Sequence, residues 1–160
     1  MACRIYQRGL MKRKYVNLKN ILLFGAVLSS IFCLSAYAKD LNCITRAEAD
    51  YDVPAGLLNV MAAYEAKRNQ PVANKLYGPM QLHSVVIPMA AEGIHSTEHE
   101  IKYNDCQNYR AAAWLLMNSF GGNLYSDIFN AVNNYYYGFG KQSYGVITLK
   151  IKDMYQHEKR

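Results

Sequence analysis

Glu65 is the residue of this chain whose type and position most favour chemistry. We predict a helix over Pro54–Lys67, with Asp52 as its N-cap and the proline in its first turn. Apolar residues recur along it at helical spacing, namely Leu58, Met61 and Ala62, and Glu65 falls one turn further on the same stripe. Burial disfavours the charged form of a carboxylate, as a general acid or base working near neutral pH requires. The alternative is that Glu65 ends its helix and faces solvent.

Two further clusters could contribute to a site. The first is Tyr77–Leu82, a loop in which Gly78 allows close approach of the backbone, although an ordinary turn has the same composition. The second is Ala131–Gly138, which contains three consecutive tyrosines. Aromatic residues at helical spacing usually belong to a core, but three in succession cannot all face inward. At least one is therefore expected to line a surface or a cleft.

The elements that must position these clusters are nearly all helical, which makes the predicted fold class mainly α with one irregular loop or small sheet at residues 67–83. Asn104 or Asp105 is expected to cap the longest helix and Gly121-Gly122 to end it, while the polar segment 94–104 reads as a loop. The other predicted helices are Cys43–Tyr51, Val85–Glu92, Asp105–Phe120, Tyr125–Tyr137 and a last one carrying Ile147, Ile151, Met154 and Tyr155. No repeat or linker divides this set, so one domain is expected.

The first 38 residues have the pattern of a secretory signal peptide. Six basic side chains precede the apolar run Ile21–Ala36, and Ala36-Tyr37-Ala38 places small residues at the cleavage positions. We expect cleavage after Ala38, export to the periplasm and a mature domain of residues 39–160. The alternative is that the apolar run persists as an uncleaved membrane anchor.

Charge argues against a nucleic-acid partner. The chain carries a net charge of +6, but residues 39–160 contain 12 basic and 12 acidic side chains. The basic excess therefore belongs to the export signal, and no basic patch interleaved with aromatic residues remains in the mature part.

Cys43 and Cys106 are the two cysteines that remain after cleavage. An even pair in an exported chain predicts a disulfide. No histidine has metal-ligand spacing to either cysteine; His95 and His99 lie four residues apart, but an exposed polar turn explains them better. We therefore expect no metal.

Taken in order, these motifs resemble the soluble lytic transglycosylase family, which has a goose-type lysozyme-like fold. The closest similarity is to its small exported members that accompany conjugation, pilus and secretion machines. Five stretches carry the resemblance from about Cys43 to Gly138: Glu65-Ala66 with Asn69 and Pro71, Gly78-Pro79-Met80-Gln81-Leu82, Asn104-Asp105-Cys106-Gln107-Asn108, Ala113-Trp114-Leu115-Leu116, and Asn134-Tyr135-Tyr136-Tyr137-Gly138.

The resemblance implies a peptidoglycan substrate, no cofactor and a single catalytic carboxylate, Glu65. It would protonate the glycosidic oxygen between N-acetylmuramic acid and N-acetylglucosamine, and then help the sugar's own 6-hydroxyl to close a 1,6-anhydro ring. The same resemblance implies that Met80, Gln81, Tyr135 and Tyr136 line the glycan groove. Subunits of a secretion or conjugation machine are further expected partners.

This chain departs from the family pattern at three positions. Ala66 stands where the family has serine, Pro79 removes a backbone N–H from the loop facing Glu65, and Tyr136 replaces an asparagine or histidine. These changes leave open an alternative to the enzyme that the resemblance favours, namely a lysozyme-like domain that binds glycan strands or machine subunits with little turnover. A third reading, an exported helical domain with no glycan role, requires the ordered motifs to be coincidental.

Overall fold

Helices make up most of the described chain, together with one small antiparallel sheet. The structure is a computed structural model that describes residues 42–68, 75–124 and 127–160, all within one compact unit. The predicted signal peptide, residues 1–38, lies outside the described residues, as do Asn69, Pro71 and Tyr125.

The helices are α1 (42–50), α2 (Leu57–Lys67), α3 (Ile87–Gly93), α4 (Glu98–Tyr103), α5 (Asp105–Trp114), α6 (Phe129–Tyr137) and α7 (Val146–Glu158). A π-helical turn, Leu115–Ser119, continues α5. The two strands, β1 (Leu76–Tyr77) and β2 (Leu82–His83), pair with Leu76 opposite His83 and Tyr77 opposite Leu82. The small sheet therefore lies between α2 and α3, within the region predicted to be loop or irregular sheet.

The predicted start of α2 was wrong. The helix begins at Leu57, and Asp52 lies in the preceding turn with a φ of 56°. The cap comes from α1 instead: the two carboxylate oxygens of Glu48 accept hydrogen bonds from Gly56 N at 2.9 Å and Leu58 N at 2.7 Å. A buried carboxylate thus satisfies the free N–H groups of α2 and complements its dipole. The predicted end of the helix at Lys67 is confirmed.

The segment predicted as a polar loop, residues 94–104, contains α4. The hydroxyl of Thr97 accepts a hydrogen bond from Glu100 N at 3.1 Å, and Glu98 and Glu100 lie in the first turn, where acidic residues are favourable. Only Ile101 is buried, so the helix shows no apolar stripe in its sequence. The Thr97 cap and the buried Ile101 side chain therefore stabilise this helix without an apolar stripe.

The longest predicted helix is confirmed in position but changes type along its length. Asn104 caps α5 by accepting a hydrogen bond from Gln107 N at 3.3 Å, and the chain is α-helical as far as Trp114. It then widens into the π turn, in which Phe120 N donates to Leu115 O at 2.8 Å. Gly121 follows with a φ of 90°, so the helix ends at the predicted glycines.

The core forms where these helices pack. Helix α5 packs against α3 and α4, α6 packs against α7 and the π turn, and α2 packs against α7. The largest fully buried apolar side chains of the core come from α2, the hairpin, α3, α4, the π turn, α6 and α7. They are Leu57, Leu58, Met61, Met80, Leu82, Ile87, Ile101, Leu115, Leu116, Val132 and Ile151. In the part of the chain that the structure describes, no helix is long and apolar enough to cross a membrane.

The predicted disulfide between Cys43 and Cys106 is present. It joins α1 to the first turn of α5, and the two Cα atoms are 5.1 Å apart, within the ordinary range for a disulfide.

Candidate functional site

A cavity of about 270 Å³ opens beside the last turn of α2. The five residues expected to form a site all line it: Glu65, Met80, Gln81, Tyr135 and Tyr136. They come from three separate parts of the chain, namely α2, the loop between the two strands, and α6. The fold therefore brings together what the sequence patterns singled out independently.

The side chain of Glu65 is buried, with 3% of its surface exposed. The alternative that it faces solvent is therefore wrong. Its two carboxylate oxygens lie 3.1 and 3.3 Å from Nη1 of Arg68, one turn further along the chain.

The loop facing Glu65 depends on a glycine. Gly78 has a φ of 68°, and a Cβ atom there would lie 2.3 Å from the side-chain amide of Asn108. The side chain of Gln81 donates from Nε2 to Gly78 O at 2.9 Å, so the loop also closes on itself. No other residue type fits this position without moving Asn108.

Asn108 fixes the same loop from α5. Its side chain is fully buried and makes three hydrogen bonds: Oδ1 accepts from Met80 N at 2.9 Å, and Nδ2 donates to Tyr77 O at 3.1 Å and to Ile101 O at 3.0 Å. The Met80 N–H is therefore directed at Asn108. The residue before it, Pro79, has no N–H to offer.

Tyr135 connects α6 to this loop. Its hydroxyl donates to Met80 O at 2.9 Å, and its ring contacts those of Phe120 and Tyr136 edge-on. Burial, followed by the negative charge of Glu65, raises the pKa of the Tyr135 hydroxyl well above its ordinary value. Tyr135 thus acts as a neutral donor that holds one wall of the cavity.

Tyr136 brings a buried hydroxyl to the cavity, close enough to Glu65 for the two groups to interact. Within the described ranges this hydroxyl has no hydrogen bond of ordinary length and angle, and its ring lies edge-on to Tyr64 with centroids 6.3 Å apart. Burial, and then the charges of Tyr135 and Glu65, raise the pKa of this hydroxyl, which keeps it protonated. The protonated hydroxyl is thus a hydrogen-bond donor that lies at the cavity beside the Glu65 carboxylate.

Among the described residues that line the cavity, Glu65 is the only one with a carboxylate. In the part of the chain that the structure describes, the other buried carboxylate is Glu48, whose oxygens accept hydrogen bonds at the start of α2. Asp50, Asp52 and Glu92 are exposed. Within the described ranges, no three His, Cys, Asp or Glu side chains are placed to hold a metal ion.

A larger cavity of about 470 Å³ lies between α1 and α5, beside the disulfide. Its single carboxylate, Asp50, is exposed, and none of the expected site residues borders it. The smaller cavity is therefore the better candidate site, because it combines a buried acid with the four other residues expected to bind a ligand.

Several residues of the lining were missed in the sequence, among them Arg68, His83 and Phe120. Arg68 could have been found, since it lies three residues after Glu65, on the same face of a helix. Phe120 and His83 also line the cavity, but their positions depend on the π turn and the hairpin, which no local pattern announces.

Comparison with known proteins identified no relative: no family model, no curated protein and no solved structure matches the chain. The function must therefore be argued from the cavity itself.

Proposed function

We propose that this protein is an exported peptidoglycan lytic transglycosylase in which Glu65 serves as both acid and base. The observation that carries the proposal is the buried Glu65 carboxylate in a cavity also lined by Met80, Gln81, Tyr135 and Tyr136. A buried carboxylate facing a cavity is a common arrangement for a general acid.

The proposal includes a lysozyme-like fold. Three features support it: a helix that ends just after Glu65, a short hairpin facing that helix, and a long helix whose Asn108 anchors the hairpin loop. These elements follow one another in the order of the motifs that resemble the family.

The proposed reaction needs no water and no second carboxylate. Protonated Glu65 donates its proton to the glycosidic oxygen, and the bond between that oxygen and C1 of N-acetylmuramic acid breaks. The 6-hydroxyl oxygen of the same sugar then bonds to C1, and its proton returns to the Glu65 carboxylate. A hydrolase that uses water ordinarily needs a second carboxylate, and the cavity lining contains none among the described residues.

The product distinguishes this reaction from hydrolysis. Purified sacculi digested with the mature protein are expected to yield muropeptides that end in 1,6-anhydro rings, each lighter by one water than a hydrolase product. Mass spectrometry of the digest tests the proposal, and reducing-end muramic acid as the main product would contradict it.

A second candidate is a lysozyme-like domain that binds glycan strands or machine subunits with little turnover. The Glu65–Arg68 ion pair favours it, since Nη1 of Arg68 already contacts both carboxylate oxygens that a substrate would have to reach. Ala66 and Pro79 depart from the family pattern, so replacing them with the family's residues is the first change to test for a gain in turnover. Binding of sacculi without any release of muropeptides would select this candidate.

The proposed location is the periplasm, reached through the signal peptide of residues 1–38, and the proposed role is local opening of the wall for a secretion, pilus or conjugation machine. The neutral balance of residues 39–160 supports a protein that does not bind nucleic acid. N-terminal sequencing of protein recovered from the periplasm tests cleavage after Ala38. An intact leader would instead indicate an anchored form.

A further inference from the structure

Arg68 has more hydrogen-bonding capacity than its ion pair uses. Both contacts to Glu65 come from Nη1, and a guanidinium carries further donors on Nη2 and Nε. Arg68 also lines the cavity, and its side chain is 28% exposed. Its remaining donors therefore lie at the boundary between the buried acid and the space where a ligand would bind.

A carboxylate is the group that best fits such a guanidinium. Arginine and carboxylate commonly form two parallel hydrogen bonds, and these are stronger than bonds between neutral groups. Besides Glu65, Arg68 and the two tyrosines, the described lining has one more titratable residue, His83. His83 is exposed, and its Nδ1 accepts a hydrogen bond from Val85 N. Arg68 is thus the permanent positive charge that the described cavity offers to an anion.

The chemistry of peptidoglycan places carboxylates close to this position. The peptide stem leaves from C3 of the same N-acetylmuramic acid whose C1 would face Glu65, and the stem carries free carboxylates. A strand of N-acetylglucosamine alone is neutral. The guanidinium lies within 3.3 Å of the Glu65 oxygens, so a stem attached to the sugar at Glu65 starts next to Arg68.

We propose that Arg68 is a specificity-determining residue that selects carboxylate-bearing glycan strands over neutral ones. The inference rests on the proposed glycan-binding role of the cavity. When a stem carboxylate binds, it shares the guanidinium with Glu65 or takes it from Glu65. Recognition of the stem and release of Glu65 are then one event.

The test measures binding of two ligands that differ only in charge: a disaccharide-tetrapeptide muropeptide and the same molecule with its peptide carboxylates amidated. Neither contains the linkage that the enzyme would cleave, so calorimetry reports binding alone. For the wild-type protein we expect the charged ligand to bind about tenfold more tightly, as a charge-assisted hydrogen bond would give.

Three variants assign this preference to Arg68. Arg68→Gln is expected to bring the ratio of the two affinities to about one. Arg68→Lys is expected to retain part of the preference for the charged ligand, because lysine keeps the positive charge but cannot form two parallel hydrogen bonds with a carboxylate. Lys67→Gln is the matched control: it removes one exposed positive charge from the neighbouring position and is expected to leave the ratio unchanged. Thermal unfolding of each variant checks that the fold is intact.

The outcomes separate this inference from the proposed function. Equal binding of both ligands by the wild-type protein, an unchanged ratio in Arg68→Gln, or an equal loss in Lys67→Gln would overturn the role of Arg68 while leaving glycan binding in place. If the wild-type protein binds neither ligand, the proposed function fails and the role of Arg68 fails with it.

Discussion

The backbone N–H of Met80 donates a hydrogen bond of 2.9 Å to Oδ1 of Asn108, which lies 28 residues further along the chain. This bond fixes the loop that faces Glu65 to α5. Because Nδ2 of the same amide holds the carbonyls of Tyr77 and Ile101, one side chain connects the hairpin, α4 and α5. The geometry of the cavity therefore depends on a buried residue that does not itself line it.

Asn108→Ala is expected to lower the free energy of unfolding by about 3 kcal/mol, since it leaves one buried N–H and two carbonyls without their partners. Urea denaturation measures this change. Asn118→Ala is the control: Asn118 is exposed and bonds only locally, to Trp114 O, so its loss is expected to cost less than about 0.5 kcal/mol. Equal effects of the two changes would contradict the role given to Asn108.

The Cys43–Cys106 disulfide is expected to contribute on the order of 4 kcal/mol in the chain-entropy model. It closes a loop between residues 63 apart in sequence and so restricts most of the chain before the long helix. Urea denaturation with and without dithiothreitol measures the contribution.

The double variant Cys43→Ser, Cys106→Ser provides the control for the disulfide. It is expected to unfold at the midpoint of the reduced wild-type protein and to be insensitive to reductant. A wild-type midpoint that reductant does not move, or two free thiols in protein purified from the periplasm, would show that the bond does not form in the cell.

Asp127 is expected to make stability depend on pH. Its carboxylate accepts hydrogen bonds from Phe129 N at 3.0 Å, from the Tyr144 hydroxyl at 2.9 Å and from Lys152 Nζ at 3.1 Å. Burial acts to raise the pKa of Asp127, but these bonds outweigh it and hold the pKa below its ordinary value of 3.8. A depressed pKa stabilises the fold at higher pH, and this contribution is lost as the pH falls through the folded-state pKa.

Asp127→Asn is therefore expected to be less stable than the wild-type protein at pH 7, with a difference that narrows below pH 3.8. Thermal unfolding across this range tests the prediction. Asp153→Asn is the control, because Asp153 pairs only with exposed His157 and is itself 72% exposed. A difference between Asp127→Asn and the wild-type protein that stays constant with pH would contradict the prediction.

The sequence located the site better than it located the elements around it. Glu65 could be placed in the core because an apolar stripe is a local pattern that a helix must bury. The start of α2 could not be predicted, since its cap is Glu48, a residue of another helix. Helix α4 was missed for a related reason: with one buried side chain, Ile101, it has no stripe to detect.

Glu65 and Glu48, the two buried carboxylates among the described residues, offer a test that separates catalysis from folding. Glu65→Gln keeps the shape of the side chain and part of its hydrogen bonding but cannot transfer a proton, so it is expected to abolish release of 1,6-anhydro muropeptides and leave unfolding nearly unchanged. Glu48→Gln is expected to behave in the opposite way. It weakens the cap of α2, which receives bonds from Gly56 N and Leu58 N, and should cost about 1 kcal/mol of stability while activity persists.

Both variants are compared with the wild-type protein by mass spectrometry of digested sacculi and by urea denaturation of the same preparations. If Glu65→Gln released 1,6-anhydro muropeptides at the wild-type rate, Glu65 would not be the catalytic residue. If a folded Glu48→Gln variant lost activity, the reaction would need Glu48 as well as Glu65. If only Glu65→Gln loses turnover while both variants fold, the buried acid at the end of α2 carries the reaction, because the two carboxylates share burial and differ in what they face.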